Sequence, residues 1–349
     1  MKNQQMSRPV RNPYISLMKL AASCALVCVH IKFPGVPGYI IECIGRFGVP
    51  FFFAISGFFF FKTDSARLLK RLKKLITILI IADIIYLGWG IFSQCLMGEQ
   101  SVKEYLSGLI SIKQLASFFF LDMRTGHYSY HLWYITAQIK VYAALFVFLT
   151  FTNNSYSYKR LYSGAFAAFL FFVAFGINAL AVDFKVDPSL TRNSLFYGFP
   201  MFTAGLFLRE YKDQIIERFH LTKWKLLFLI LAGFAISLLE FFGFGKSEMP
   251  LGMLGAVSAM ILLLTGFPVN ESASQSKWAA YIGDLETMSL VVYLIHPLVF
   301  YIANFFPVFR PVHQQGWLFP LFILFASILI SIVFCLTRRV WRGIRPHAN

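Results

Sequence analysis

Apolar residues in this chain run in blocks of about twenty, separated by short polar segments, rather than alternating or keeping to a single helical stripe. A block of that length suits a helix that must cross about 30 Å of hydrocarbon at about 1.5 Å per residue. Windows of about 19 residues place spans at 15–33, 39–61, 75–97, 131–152, 161–182, 194–208, 226–243, 249–267, 288–306 and 317–337. The pattern predicts an all-α integral membrane protein with about ten transmembrane helices. The sixth span is short and is interrupted by Pro200 and Gly205.

Composition sharpens this picture. Of 349 residues, 58% are hydrophobic and only 14% charged, against about 25% charged in a soluble domain, which excludes a water-facing globule and a disordered chain. Ten spans would use about 200 positions, so residues 1–349 are expected to form one membrane domain, its spans covering about 15–337, with no appended soluble domain. The five cysteines, Cys24, Cys28, Cys43, Cys95 and Cys335, lie in or beside apolar runs and do not read as a disulfide framework.

The net charge of +16 would suggest nucleic acid in a soluble protein, but its distribution follows membrane topology. With both termini cytoplasmic, the inside segments collect Lys62, Arg67, Lys70, Arg71, Lys73, Lys74, Arg209, Lys212, Arg218, Arg338 and Arg339. The outside segments hold fewer, among them Lys32, Lys103, Arg192 and Lys246. That bias fits the positive-inside rule. The Lys62–Lys74 segment therefore reads as an anchor on anionic membrane lipid, with no nucleic-acid partner. Between residues 98 and 130, Tyr105, Leu106, Leu109, Ile112 and Leu115 recur at roughly helical spacing, as in an interfacial or re-entrant element. Tyr128, Tyr130, Trp133 and Tyr134 suit the outer aromatic belt.

Ionisable residues inside apolar spans mark functional sites. In the first span Ser16, Lys19, Ser23 and His30 share a helix face, and Lys19 and His30 are separated by about 16.5 Å of rise. In the second, Glu42 and Arg46 stand four apart, followed by Gly48, Pro50, Ser56 and Gly57 in a phenylalanine-rich run. His131, preceded by His127, opens the fourth span, and His296 precedes Pro297 in the ninth. His30, Arg46 and His131 are thereby expected to converge near the outer side. Plainer readings stay open: Lys19 snorkelling to the interface, Arg46 tied to Glu42, His30 and His296 as packed, hydrogen-bonded residues, and His127 solvated. A metal site from Cys24, Cys28 and His30 is disfavoured because His30 lies about 200° around the helix from Cys28, and no metal is expected. P-loop, GxGxxG and GxSxG patterns are absent.

Four segments carry a resemblance: KLAASCALVCVH from Lys19 to His30, RFGVPFFFAISGFFF from Arg46 to Phe60, HLWYITAQI from His131 to Ile139, and YLIHPLV from Tyr293 to Val299. In that order they resemble the signatures of the integral-membrane acyltransferase family 3, whose members acylate cell-surface carbohydrates and related acceptors. One position departs, since Lys19 stands where many members carry arginine, which keeps the charge and loses the bidentate fork.

The resemblance implies an O-acetyltransferase-like enzyme of the bacterial cytoplasmic (inner) membrane. It would move an acyl group, acetyl by default, from cytoplasmic acyl-CoA to a carbohydrate or lipid-linked acceptor. It implies His30 as catalytic base or acyl carrier and Arg46 as stabiliser of the thioester oxygen. Lys19, Glu42, Ser56, His131, Trp133 and His296 would bind or support the substrates. Small residues such as Gly57 and Gly205 suit internal packing or a homo-oligomer contact equally. The competing reading is a transporter-like module for a small polar molecule, because related membrane domains occur fused to amino-acid racemases and a polar stripe with broken helices suits a transport path. With no racemase after Asn349, the enzyme is the expectation. A lipid-linked sugar flippase gives the histidines no task.

Overall fold

In the computed structural model, residues 12–61, 63–98, 100–109, 111–112, 116–118, 122, 129–152, 192–246, 249–267, 278–314 and 316–344 are described. Every regular element among them is helical. The long helices are α1 (Pro13–His30), α2 (Gly35–Gly45), α3 (Gly48–Phe58), α4 (Ser65–Met97), and the short α5 (Val102–Leu109). They continue with α6 (Trp133–Phe151), α7 (Phe199–Arg218), α8 (Lys223–Gly243), α9 (Leu251–Thr265), α10 (Trp278–Phe305) and α11 (Leu318–Ile344).

Local chemistry sets several boundaries. Asn12 caps α1 by accepting from the Tyr14 N–H, with Pro13 at the first helical position. Asp64 caps α4 through the Arg67 N–H at 2.7 Å, and Gly98 ends that helix at φ 66°, the left-handed conformation that glycine adopts without a Cβ penalty. The chain breaks between α2 and α3 at Arg46 and Phe47, just ahead of Pro50, which has no N–H to continue the ladder.

Among the described residues seven segments are long and apolar enough to cross a bilayer: Pro13–His30, Gly35–Phe58, Ser65–Met97, Tyr130–Phe151, Lys223–Gly243, Gly283–Phe305 and Leu318–Trp341. The expected count of ten is therefore met in part. The expected sixth span is the apolar half of α7, whose second half carries Arg209, Glu210, Lys212, Asp213, Glu217 and Arg218. The eighth corresponds to α9, whose 15 residues rise only about 22 Å. The span expected at 161–182 lies outside the described residues, as do His127, Tyr128 and Leu115. Within the segment expected to hold an interfacial or re-entrant element a short helix, α5, is present, and its Tyr105 packs against Gly90 of α4.

Two arrangements position the site. Helices α1 and α10 run side by side in the same direction: Lys19 Nζ meets Glu286 at 3.1 Å, Ser23 Oγ donates to Ser289 O at 2.8 Å, and the His30 and His296 rings stack. The α2–α3 span runs the opposite way, Gly45 lying against Ala25 and Val29 and Gly48 against Ala22 and Leu26. Behind it α3 crosses α7 at close range, where a Cβ on Gly57 would fall on the Phe202 carbonyl and one on Gly205 on that of Ala54. This is the close backbone approach that small residues permit in membranes. The core around it holds Phe51, Phe53, Ile55, Met201, Met253 and Val257, while Ile84, Phe228, Leu231, Phe325 and Leu329 point outward as lipid-facing residues do.

Gly205→Leu is expected to force α3 and α7 apart and cost about 1–3 kcal/mol, read as a fall in thermal midpoint of the detergent-solubilised protein. Gly88→Leu, where no atom lies within 4 Å of an added Cβ, should leave the midpoint unchanged. Equal midpoints for the two variants would contradict the crossing.

Candidate functional site

Three histidines from separate stretches of chain meet at one end of the bundle. His30 is the last residue of α1. Its ring stacks on His296 with centroids 5.3 Å apart and planes 22° off parallel, and Tyr130 meets it edge-on at 5.3 Å. His131, in the turn before α6, lies 5.4 Å from His296, 5.2 Å from Tyr86 of α4 and 5.6 Å from Tyr293.

The segment Tyr293–Pro297 explains how these rings are held. Pro297 has no N–H, so the Tyr293 carbonyl four residues earlier loses its helical partner. His296 Nδ1 takes that place at 2.9 Å, with Val292 O also within 3.2 Å. Freed backbone groups in a membrane helix are satisfied in this way by side chains. Both partners are carbonyls, which only accept, so the hydrogen bonding assigns the proton to Nδ1 and leaves Nε2 with its lone pair. That Nε2 is buried and meets no partner among the described residues. Tyr86 and His131 anchor on the next carbonyl: Tyr86 Oη donates to Leu294 O at 2.8 Å and His131 Nε2 lies 3.3 Å from it. Tyr293 Oη donates to the His131 carbonyl.

Accessibility separates the three. His131 and His296 are 1% and 0% exposed, whereas His30 keeps part of its surface accessible. His30 is thus the least enclosed histidine of this cluster, with His296 stacked against it.

The other expected site residues divide. Arg46 donates to Glu42 at 3.0 Å and lies over the Phe241 ring at 5.6 Å. Glu42, 4% exposed, also holds Lys246 at 2.7 Å. Arg46 therefore faces an ion cluster of Glu42 and Lys246, where α2 meets the end of α8, and its charge, like that of Arg192, lies within electrostatic reach of His30. Lys19 is engaged by Glu286, and its backbone carbonyl accepts from Ser289 Oγ at 2.9 Å. The polar stripe of α1 is thus, over Lys19 and Ser23, a contact face with α10. Trp133 packs against Phe53 and Tyr197. Ser56 lies deeper, beside Tyr134 and Tyr142. Among the described residues no three His, Cys, Asp or Glu side chains are grouped to hold a metal ion.

Tyr86 and Tyr293 belong to this site, with Arg192 within electrostatic reach of His30, and none of the three is singled out by the sequence reading, which also places Tyr130 in the aromatic belt. Tyr293 had a signal, standing three residues before His296 and hence on its side of the helix. Tyr86 and Arg192 had none, because their proximity is created by packing between distant segments.

A family model described as an acyltransferase domain matches residues 12–336. A protein of Enterococcus faecalis named amino-acid racemase is 24% identical over 358 aligned positions, which cover 93% of this chain and 46% of that protein. The chain thus spans about half the length of that curated relative. No solved structure matches. With the match running from the start of α1 into α11, and through all three histidines, the chain belongs to the acyltransferase 3 family.

Proposed function

We propose that this chain transfers an acyl group, acetyl in the simplest case, from acyl-CoA to a hydroxyl of a cell-surface or lipid-linked carbohydrate-type acceptor. The observation that carries this reading is His30, the least enclosed of the three clustered histidines, with its ring backed by His296. His30 removes the proton from the acceptor hydroxyl as its oxygen attacks the thioester carbonyl. The tetrahedral intermediate then collapses, the carbon–sulfur bond breaks, and the proton passes from His30 to the departing CoA thiolate. His296 holds the His30 ring in place. The fields of Arg46 and Arg192 favour the oxyanion as it forms.

In this reading both termini are cytoplasmic, the protein resides in a bacterial inner membrane, and the basic segment Arg67–Lys74 faces the donor side. Lys19 contributes by fixing α1 against α10, since a contact with the donor would require it to leave Glu286.

Membranes containing the chain, given radiolabelled acetyl-CoA, are expected to place label in a glycan or lipid fraction that membranes lacking it do not label. Absence of chain-dependent label in glycan, lipid and small-molecule fractions would count against acetyl transfer. Pro297→Ala supplies an N–H that competes for the Tyr293 carbonyl. It is expected to release the His296 ring and lower the transfer rate about tenfold, with little change in thermal midpoint. An unaltered rate would mean that the proline does not set the histidine geometry.

A further inference from the structure

The histidine end of the bundle leaves another buried polar group without a task. Tyr134, Gln138 and Tyr142 follow one another at four-residue spacing on α6 and so share one helix face. That face meets α3 at Ser56. The Ser56 hydroxyl donates to Phe52 O at 2.7 Å, which leaves its lone pairs for the hydroxyls of Tyr134 and Tyr142 beside it. Tyr142 is also close to Gln138 and to Arg71 near the start of α4. The row therefore links the site to the other end of the bundle.

Gln138 sits in the middle of this row. It is 2% exposed, and neither Oε1 nor Nε2 meets a partner at full hydrogen-bond geometry among the described residues. A buried primary amide whose one near polar neighbour is the Tyr142 hydroxyl, off full hydrogen-bond geometry, is costly, and a ligand with matching groups would complete it.

Position selects the ligand. Gln138 lies about two helical turns, roughly 10 Å, below His131, toward the end where Lys19 and Arg71 lie. A secondary amide offers one carbonyl and one N–H, the complement of the glutamine side chain. The arm of an acyl-CoA carries two such amides between its thioester and its nucleotide. We propose that Gln138, flanked by Tyr134 and Tyr142, recognises an amide of the acyl donor's arm between α6 and α3 while the thioester reaches His30. This rests on the acyl-CoA reading given above.

The test uses the full chain in nanodiscs and compares wild type with Gln138→Met, a similar-sized apolar side chain of good helix propensity. Equilibrium dissociation constants are measured for acetyl-CoA and for S-acetylpantetheine, which keeps both amides and lacks the nucleotide. Thermal midpoints are measured without ligand. The expected result is about tenfold weaker binding of both donors by the variant, by a similar factor, with a ligand-free midpoint equal to or above that of wild type. A residue serving the fold alone would lower the midpoint and leave both constants unchanged. Weakening confined to acetyl-CoA would place the contact on the nucleotide. Either result overturns the proposal. A wild-type protein that binds neither donor would overturn the acyl-CoA reading as well, which separates the two failures.

Discussion

Replacing His30 with alanine should stop acyl transfer while leaving the bundle folded. General-base catalysis contributes about 10²–10⁴-fold, so the variant is expected to fall at least about a hundredfold in rate. The residue is only partly enclosed, and its ring meets Tyr130 edge-on and stacks on His296. Its removal should therefore shift the thermal midpoint little. His131→Ala should behave differently, because it removes a fully buried ring that reaches Leu294 O and lies against Tyr86 and Tyr293. That variant is expected to lose stability along with activity. Rates of label transfer and midpoints on both variants check this, and normal transfer by a folded His30→Ala protein would remove His30 from the mechanism.

Glu42→Ala should be among the most destabilising single changes in the chain. Glu42 lies between Arg46 and Lys246, and the Arg46 side chain is itself only 10% exposed. Deleting the carboxylate leaves a buried guanidinium without its counter-ion, which costs about 3 kcal/mol. Lys246, 37% exposed, is cushioned by water and adds less. Glu42→Gln, which keeps one acceptor oxygen for Arg46 and turns its amide N–H toward the more exposed Lys246, should lose less. Unfolding in denaturant with matched detergent would show the ordering wild type, Glu42→Gln, Glu42→Ala. Three equal midpoints would mean that the cluster does not join α2 to α8.

Much of the fold is legible in the sequence, because a bilayer demands long apolar segments and the chain supplies them as uninterrupted blocks. The reading fails where length and polarity diverge. The apolar half of α7 continues into a charged half, and α9 stops at Thr265. In the site, helical spacing finds His30 and the Glu42–Arg46 pair, since both are local. It cannot find which helix receives a polar face. The Lys19–Ser23 stripe looks like a path from sequence and meets Glu286 and Ser289 in the structure. Arg46 looks like a partner for His30 and turns toward Glu42 and Phe241. The convergence of His131 and His296 on His30 depends on the parallel packing of α1 and α10 and on the carbonyls beside Pro297, neither of which a single span reveals. Gln138 lies inside HLWYITAQI and looks unremarkable there. Only burial without a full hydrogen-bond partner distinguishes it.

The most direct test of the account is acetyl transfer in sealed membrane vesicles of known orientation, with radiolabelled acetyl-CoA added to one face at a time. Label is expected on the acceptor only when acetyl-CoA is supplied to the face bearing Arg67–Lys74. Transfer only from the opposite face, or from neither face by a folded protein shown to bind acetyl-CoA, would contradict it.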